Sequence, residues 1–191
     1  MEPDLHVVHQ GTTGAIPPVV IVHGGMDRSS SFGRVARQFD DLTIVRYDLR
    51  GYGRSARLAP VDVDGHVDDL LDVIGPAPAV VFGHSMGGVI ALMAAERRPD
   101  LVIGVLAYEA PMPWLDWWPA PRPEVRCADP ADEAERFMRQ MVGDRTWERL
   151  PPRTRAERRA EGLALRADVD SLESDRVLFD ATKVAMPVLV G

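Results

Sequence analysis

The run Gly83-His84-Ser85-Met86-Gly87 places a serine hydroxyl between two glycines, two residues away on either side. Such a hydroxyl can attack a carbonyl carbon when a sharp, strained turn lifts it clear of its surroundings. Glycines at these two positions let neighbouring backbone approach without a Cβ in the way. By itself the pattern is weak, since at ordinary glycine and serine usage it arises by chance in about one chain in twenty of this length. Its context adds more. Ala79-Val80-Val81-Phe82 before it reads as a buried strand, and Val89–Arg98 after it reads as a helix stopped by Pro99. Strand, glycine-flanked serine and helix in that order are what a nucleophile elbow requires. The helix start would also point free N–H groups and its positive dipole end at the serine. The plainer alternative is an ordinary glycine-rich strand–helix turn.

Attack on a carbonyl creates a tetrahedral oxyanion, which needs two aimed N–H donors. The Met86 amide, just after Ser85, is one candidate. The second comes from His23-Gly24-Gly25-Met26, which follows the apolar run Val19–Val22. Gly25 is the expected donor and Met26 the alternative. Taken alone, this segment also reads as a simple strand-to-helix turn.

The surrounding elements must bring these two turns together. Val19–His23, Leu42–Tyr47, Ala79–Phe82 and Leu101–Tyr108 read as strands. Helical spacing covers Ser29–Phe39, Asp64–Ile74 and Val89–Arg98. Strands alternating with helices, the strands being almost wholly apolar, imply an α/β fold with a mostly parallel sheet and helices on both faces. In such a sheet both turns lie at the carboxyl edge, where ligands bind.

After Pro111 the pattern changes to a proline- and tryptophan-rich stretch. Two charged helical segments follow, Ala131–Val142 and Arg155–Arg166, and then a strand-like Met186–Gly191. The expected organisation is a core over 1–110, an excursion over 111–182 and a returning core strand over 183–191.

Composition narrows the function classes. The net charge of −7 opposes general nucleic-acid binding. No apolar run approaches the ~18–20 residues that span a bilayer, and the acidic start lacks the apolar core of a signal peptide. The single Cys127 fits a reducing, cytoplasmic setting. With no Cys/His cluster and no phosphate-cradling glycine loop ending in Lys, neither metal nor organic cofactor is expected. The sequence does not set the oligomeric state.

Three motifs in order resemble the α/β-hydrolase superfamily: His23-Gly24-Gly25, Asp48-Leu49-Arg50-Gly51-Tyr52-Gly53-Arg54-Ser55 and Gly83-His84-Ser85-Met86-Gly87-Gly88. The resemblance implies that Ser85 is the nucleophile and that Asp48 and Arg50 brace a loop. It also implies that residues 111–182 form a helical cap. On that view Trp114, Trp117 and Trp118 either line a substrate pocket or pack the cap onto the core. Serine at the elbow matches the branch of esterases, lipases, thioesterases, lactonases and C–C bond hydrolases. Epoxide hydrolases and haloalkane dehalogenases carry aspartate there. Met26-Asp27 departs from the H-G-G-P-G pattern of proline iminopeptidases.

The family order is Ser, then Asp or Glu, then His. None of the histidines, His6, His9, His23, His66 and His84, follows the elbow. His84 adjoins Ser85 and is read as a packing or loop-bracing residue at the edge of the pocket. His66 is expected on a surface-type helix beside Asp68 and Asp69. Glu109, at the end of a strand, is a candidate acid. The expectation is a chain truncated at its C-terminus relative to the family, without the last strand, the final helix and the base. Its returning strand would then be an unprotected sheet edge.

The sequence thus supports a serine hydrolase of a small ester, thioester or related carbonyl substrate. Two readings compete with it: a non-catalytic small-molecule-binding protein or inactive fragment on the same fold, and an acyl transferase using the same acyl-enzyme.

Overall fold

The computed structural model describes residues 4–11, 17–118, 126–174 and 176–191. Strands β1 (Val7–Gln10), β2 (Val19–Val22), β3 (Ile44–Tyr47), β4 (Ala79–His84), β5 (Val102–Tyr108) and β6 (Val188–Val190) form one sheet. Their order is β1-β3-β2-β4-β5-β6. β1 runs antiparallel to β3 on one edge, and every other pairing is parallel.

Side chains alternate across this sheet as the strand period requires. Ala79, Val81 and Gly83 of β4 are buried on one face, while Val80, Phe82 and His84 are half-buried on the other. The first face carries the main core, where Val20, Val22, Val45 and Tyr47 meet α2 (Val63–Ile74) and α3 (Met86–Arg97). In α3 every residue from Met86 to Ala95 is buried, so this helix is apolar all round rather than on one stripe. The opposite face has a smaller core of Ile21, Ile44 and Ala36, with Phe32 and Phe82 packed on it.

Two helices depart from the sequence expectation. Ser29–Phe39 forms a 3₁₀ turn over Ser29–Phe32 and then only α1 (Gly33–Ala36). A serine run and Gly33 are poor helix formers, and Val35 and Phe39 stay exposed, so no packing compensates. The segment Arg155–Arg166 is divided between α6 (Pro152–Ala160) and α7 (Gly162–Leu172). The break falls at Glu161, next to Gly162, where a Cβ would sit 2.1 Å from the Pro130 carbonyl oxygen. Close approach to the start of α4 (Pro130–Val142) therefore interrupts the helix. With α5 (Asp144–Arg149), four α-helices lie between β5 and β6 among the described residues. Among the described residues, no helix is long and apolar enough to cross a membrane.

Candidate active site

β4 ends at His84 and α3 begins at Met86, which leaves Ser85 alone to make the turn. It does so with φ 53° and ψ −122°, a conformation that costs an L-residue about 1–3 kcal/mol. The surroundings enforce it. A Cβ on Gly83 would lie 2.2 Å from the Gly87 carbonyl oxygen, and one on Gly87 would lie 2.3 Å from that of Val22. Below the serine, its own N–H donates to the Tyr108 carbonyl at 2.8 Å, and its carbonyl accepts the Gly88 N–H at 2.8 Å.

The His23-Gly24-Gly25 segment runs directly against this turn. A Cβ on Gly24 would come within 2.9 Å of the Ser85 Cβ, so only glycine allows the two turns to touch. His23 is fully buried and locks the segment from within. Its Nδ1 donates to the Gly24 carbonyl at 2.7 Å, and its Nε2 accepts the Leu49 N–H at 2.9 Å. That pattern requires the neutral ring. Burial lowers the His23 pKa in the same sense, against the raising effects of Gly24 and Asp27.

Neither the Gly25 amide nor the Met86 amide donates to a described group. Met26 takes a left-handed φ of 59°, and its carbonyl accepts 2.6 Å from Arg158 of α6.

His84 leaves the turn on the opposite sheet face from α3, between the rings of Phe32 and Tyr108. Its Nε2 lies 3.6 Å from Glu109 and its Nδ1 4.0 Å from Asp27, both too long for hydrogen bonds. Glu109 sits at the end of β5 with φ 53° and an exposed side chain. Trp114 stacks edge-on against Phe179 at 5.5 Å, with its indole nitrogen buried. Trp117 is exposed, and its ring meets Trp118 at 5.7 Å. No described side chain hydrogen-bonds the Ser85 hydroxyl. His9 lies in β1 at the sheet edge and His6 just before it.

The brace of the Asp48–Ser55 turn is visible atom by atom. Asp48 accepts the N–H groups of Ser29 and Arg54, each at 2.8 Å. Arg50 makes a two-pronged contact with Asp69, at 2.7 and 2.9 Å. His66, by contrast, is not on a solvent-facing surface. It is 1% exposed and lies 3.1 Å from Asp168 of α7. The same carboxylate accepts 2.6 Å from the Tyr52 hydroxyl. A Cβ built on Gly25 would meet Asp168, Tyr52 and Leu165 at 3.5, 3.7 and 3.8 Å, ordinary van der Waals distances. This buried cluster has no local signal in the sequence, because Asp168 lies 102 residues from His66 and 116 from Tyr52. The one available hint is periodicity, since position 66 falls between Val63, Val67 and Leu70 on the buried face of α2.

Comparison with known proteins agrees with this architecture. The sequence model of the alpha/beta hydrolase family matches residues 19–189. Lipase LipV of Mycobacterium tuberculosis is 38% identical over 106 residues, which are 54% of this chain and 40% of the lipase. A pimeloyl-[acyl-carrier protein] methyl ester esterase of Chromobacterium violaceum is 44% identical over 92 residues, 48% of this chain and 36% of the esterase. The chain thus spans less than half the length of these curated relatives. Among solved structures, an enol-lactonase of Burkholderia xenovorans LB400 superposes with a TM-score of 0.68 at 22% identity. That superposition covers 97% of this chain and 76% of the lactonase, and it concerns the fold.

Proposed function

Because the chain belongs to the alpha/beta hydrolase family, we propose that it is a serine hydrolase of small esters, thioesters or related carbonyl compounds, working through an acyl-enzyme on Ser85. The observation that carries this reading is the strained φ of 53° at Ser85, held at the strand–helix junction with Gly24 pressed against it. Strain of this kind persists where the surroundings over-determine it, and it accumulates at reactive positions.

In the proposed reaction the Ser85 Oγ attacks the carbonyl carbon and loses its proton to a base. The carbonyl oxygen becomes an oxyanion between the Met86 and Gly25 amides. Collapse expels the alcohol or thiol, which takes up the proton, and leaves acyl-Ser85. Water then repeats the sequence and frees the acid. An acceptor other than water would turn the same intermediate to acyl transfer. Gly25 is the proposed second donor and Met26 the alternative. Glu109 and the His84 ring stand at the rim of this site as candidate acid and pocket wall, with Trp114, Trp117 and Trp118 proposed along the cap side.

One observation favours a second reading. A serine hydroxyl is a weak nucleophile without an adjacent base, and no described side chain bonds Ser85. On that reading the protein binds a small carbonyl ligand on the same fold without turning it over. Fluorophosphonate labelling separates the two. Covalent labelling that disappears in Ser85→Ala supports the hydrolase. A folded wild-type protein that does not label supports the binding protein.

A further inference from the structure

Beside residues 28–30, a cleft of about 600 Å³ opens between the core and α6. Arg28, Arg46, Arg54 and Arg153 line it, facing the carboxylates of Asp48, Glu157 and Glu161. Two of the three carboxylates are already ion-paired, against four lining arginines. Arg153 bonds Glu157 at 2.9 Å. Glu161 Oε1 accepts from Arg28 at 3.2 Å and from the Gly53 N–H at 2.9 Å, and its Oε2 lies 3.0 Å from Arg158 without a hydrogen bond among the described residues. Asp48 is occupied by two backbone amides.

The positive charge is not matched to the same degree. Among the described residues, Arg46 hydrogen-bonds the Ser29 carbonyl, at 3.2 Å, and pairs with no carboxylate. Arg54 is exposed and pairs with no carboxylate among the described residues. The Nε groups of Arg28 and Arg46 are buried without a hydrogen-bond partner among the described residues. A buried donor left unsatisfied costs about 1–3 kcal/mol. This is a local cationic excess in a chain whose net charge is −7.

We propose that this cleft is a binding site for a doubly charged oxyanion of the phosphate class, held chiefly by Arg46 and Arg54. Guanidinium groups present parallel N–H donors that match phosphate oxygens, and they stay charged at every accessible pH. Both core and α6 contribute walls, so the bound anion would also join α6 to the loop over 27–30. The anion has two possible sources: free phosphate, or a phosphate monoester carried on a larger molecule. The proposal is independent of whether Ser85 is reactive.

Isothermal titration of the whole protein at about pH 8, where phosphate is a dianion, tests it with two probes. These are inorganic phosphate and phenyl phosphate, with chloride at matched ionic strength as the blank. Saturable binding with a Kd below about 1 mM is expected. The Arg46→Gln/Arg54→Gln double variant should weaken it roughly tenfold or more, and Arg54→Gln alone roughly threefold. Arg98→Gln, whose side chain pairs with Asp100 at a distance from the cleft, should leave it unchanged. Because Arg46 also bonds backbone, Arg54→Gln decides the matter if the double variant does not fold. Equal affinity for the two probes assigns the site to free phosphate, and tighter phenyl phosphate assigns it to an ester. Heats no larger than the chloride blank would overturn the proposal, as would wild-type affinity in Arg54→Gln.

Discussion

The Asp168 carboxylate of α7 accepts a 2.6 Å hydrogen bond from the Tyr52 hydroxyl, joining a helix that lies between β5 and β6 to the turn that follows β3. Both groups are buried, and a Cβ built on Gly25 would meet them at 3.5 and 3.7 Å. His66 bonds the other oxygen of the same carboxylate at 3.1 Å, so one side chain satisfies two buried partners. Removing it strands both. Asp168→Ala is expected to destabilise the fold by about 2–4 kcal/mol, and Asp168→Asn by about 1 kcal/mol, because the amide still offers Tyr52 an acceptor. Urea denaturation measures the loss, and hydrogen exchange locates it. Faster exchange at 23–28 and in α7 is expected. Unchanged exchange at 23–28 in the alanine variant would show that Asp168 does not hold the Gly25 loop.

At Ser85 the side chain and the backbone conformation make separable contributions. Alanine keeps a Cβ at φ 53°, whereas glycine removes it. Ser85→Gly is therefore expected to stabilise the protein by about 0.5–1 kcal/mol, strain relief exceeding the entropy cost of glycine. Ser85→Ala should stay within about 0.5 kcal/mol of wild type. Both should lose fluorophosphonate labelling. A Ser85→Gly protein less stable than Ser85→Ala would show that the turn is not strained.

The parallel sheet and the glycine-flanked serine are legible in the sequence because their signals are local. Val19–Val22 and Ala79–Phe82 are short and apolar, and each is bounded by glycine or proline close by. The helix expected over Ser29–Phe39 is too long because spacing alone ignores the poor propensity of three serines and a glycine. The break next to Gly162 is invisible in the sequence because its cause is the Pro130 backbone, which belongs to another helix. His66 misleads for a related reason. Its charged neighbours suggest solvent, yet Asp69 is itself buried against Arg50, and Asp168 arrives from a remote helix.

His23 makes the site sensitive to acid. Its ring is buried and its pKa is depressed below the ordinary 6.5, chiefly by burial. The unfolded chain therefore takes up the proton more readily than the folded one. The stability tied to His23 is complete above about pH 6.5 and falls as the pH drops towards the depressed folded value. Protonation would also place a donor at Nε2, where the Leu49 N–H needs an acceptor. His23→Gln, whose amide oxygen can still accept from Leu49, is expected to cost about 1–3 kcal/mol at pH 7.5. It should also flatten the decline in stability between about pH 6.5 and pH 5. Chemical denaturation at several pH values measures both quantities. A variant that keeps the wild-type slope would place the acid sensitivity elsewhere.

β6 closes the sheet order with all three of its residues exposed: Val188 38%, Leu189 66% and Val190 64%. It pairs with β5 on one side, and its other side meets no strand among the described residues. An apolar edge of this kind offers unpaired backbone groups and side chains that another β-edge can match. Charge on the outermost position opposes such pairing without touching the core. Leu189→Lys is expected to leave stability within about 0.5 kcal/mol of wild type, since the side chain is already exposed. It should also reduce concentration-dependent association, read as a lower weight-average mass in sedimentation or light scattering. Equal association of the two proteins would show that β6 is not the contact edge.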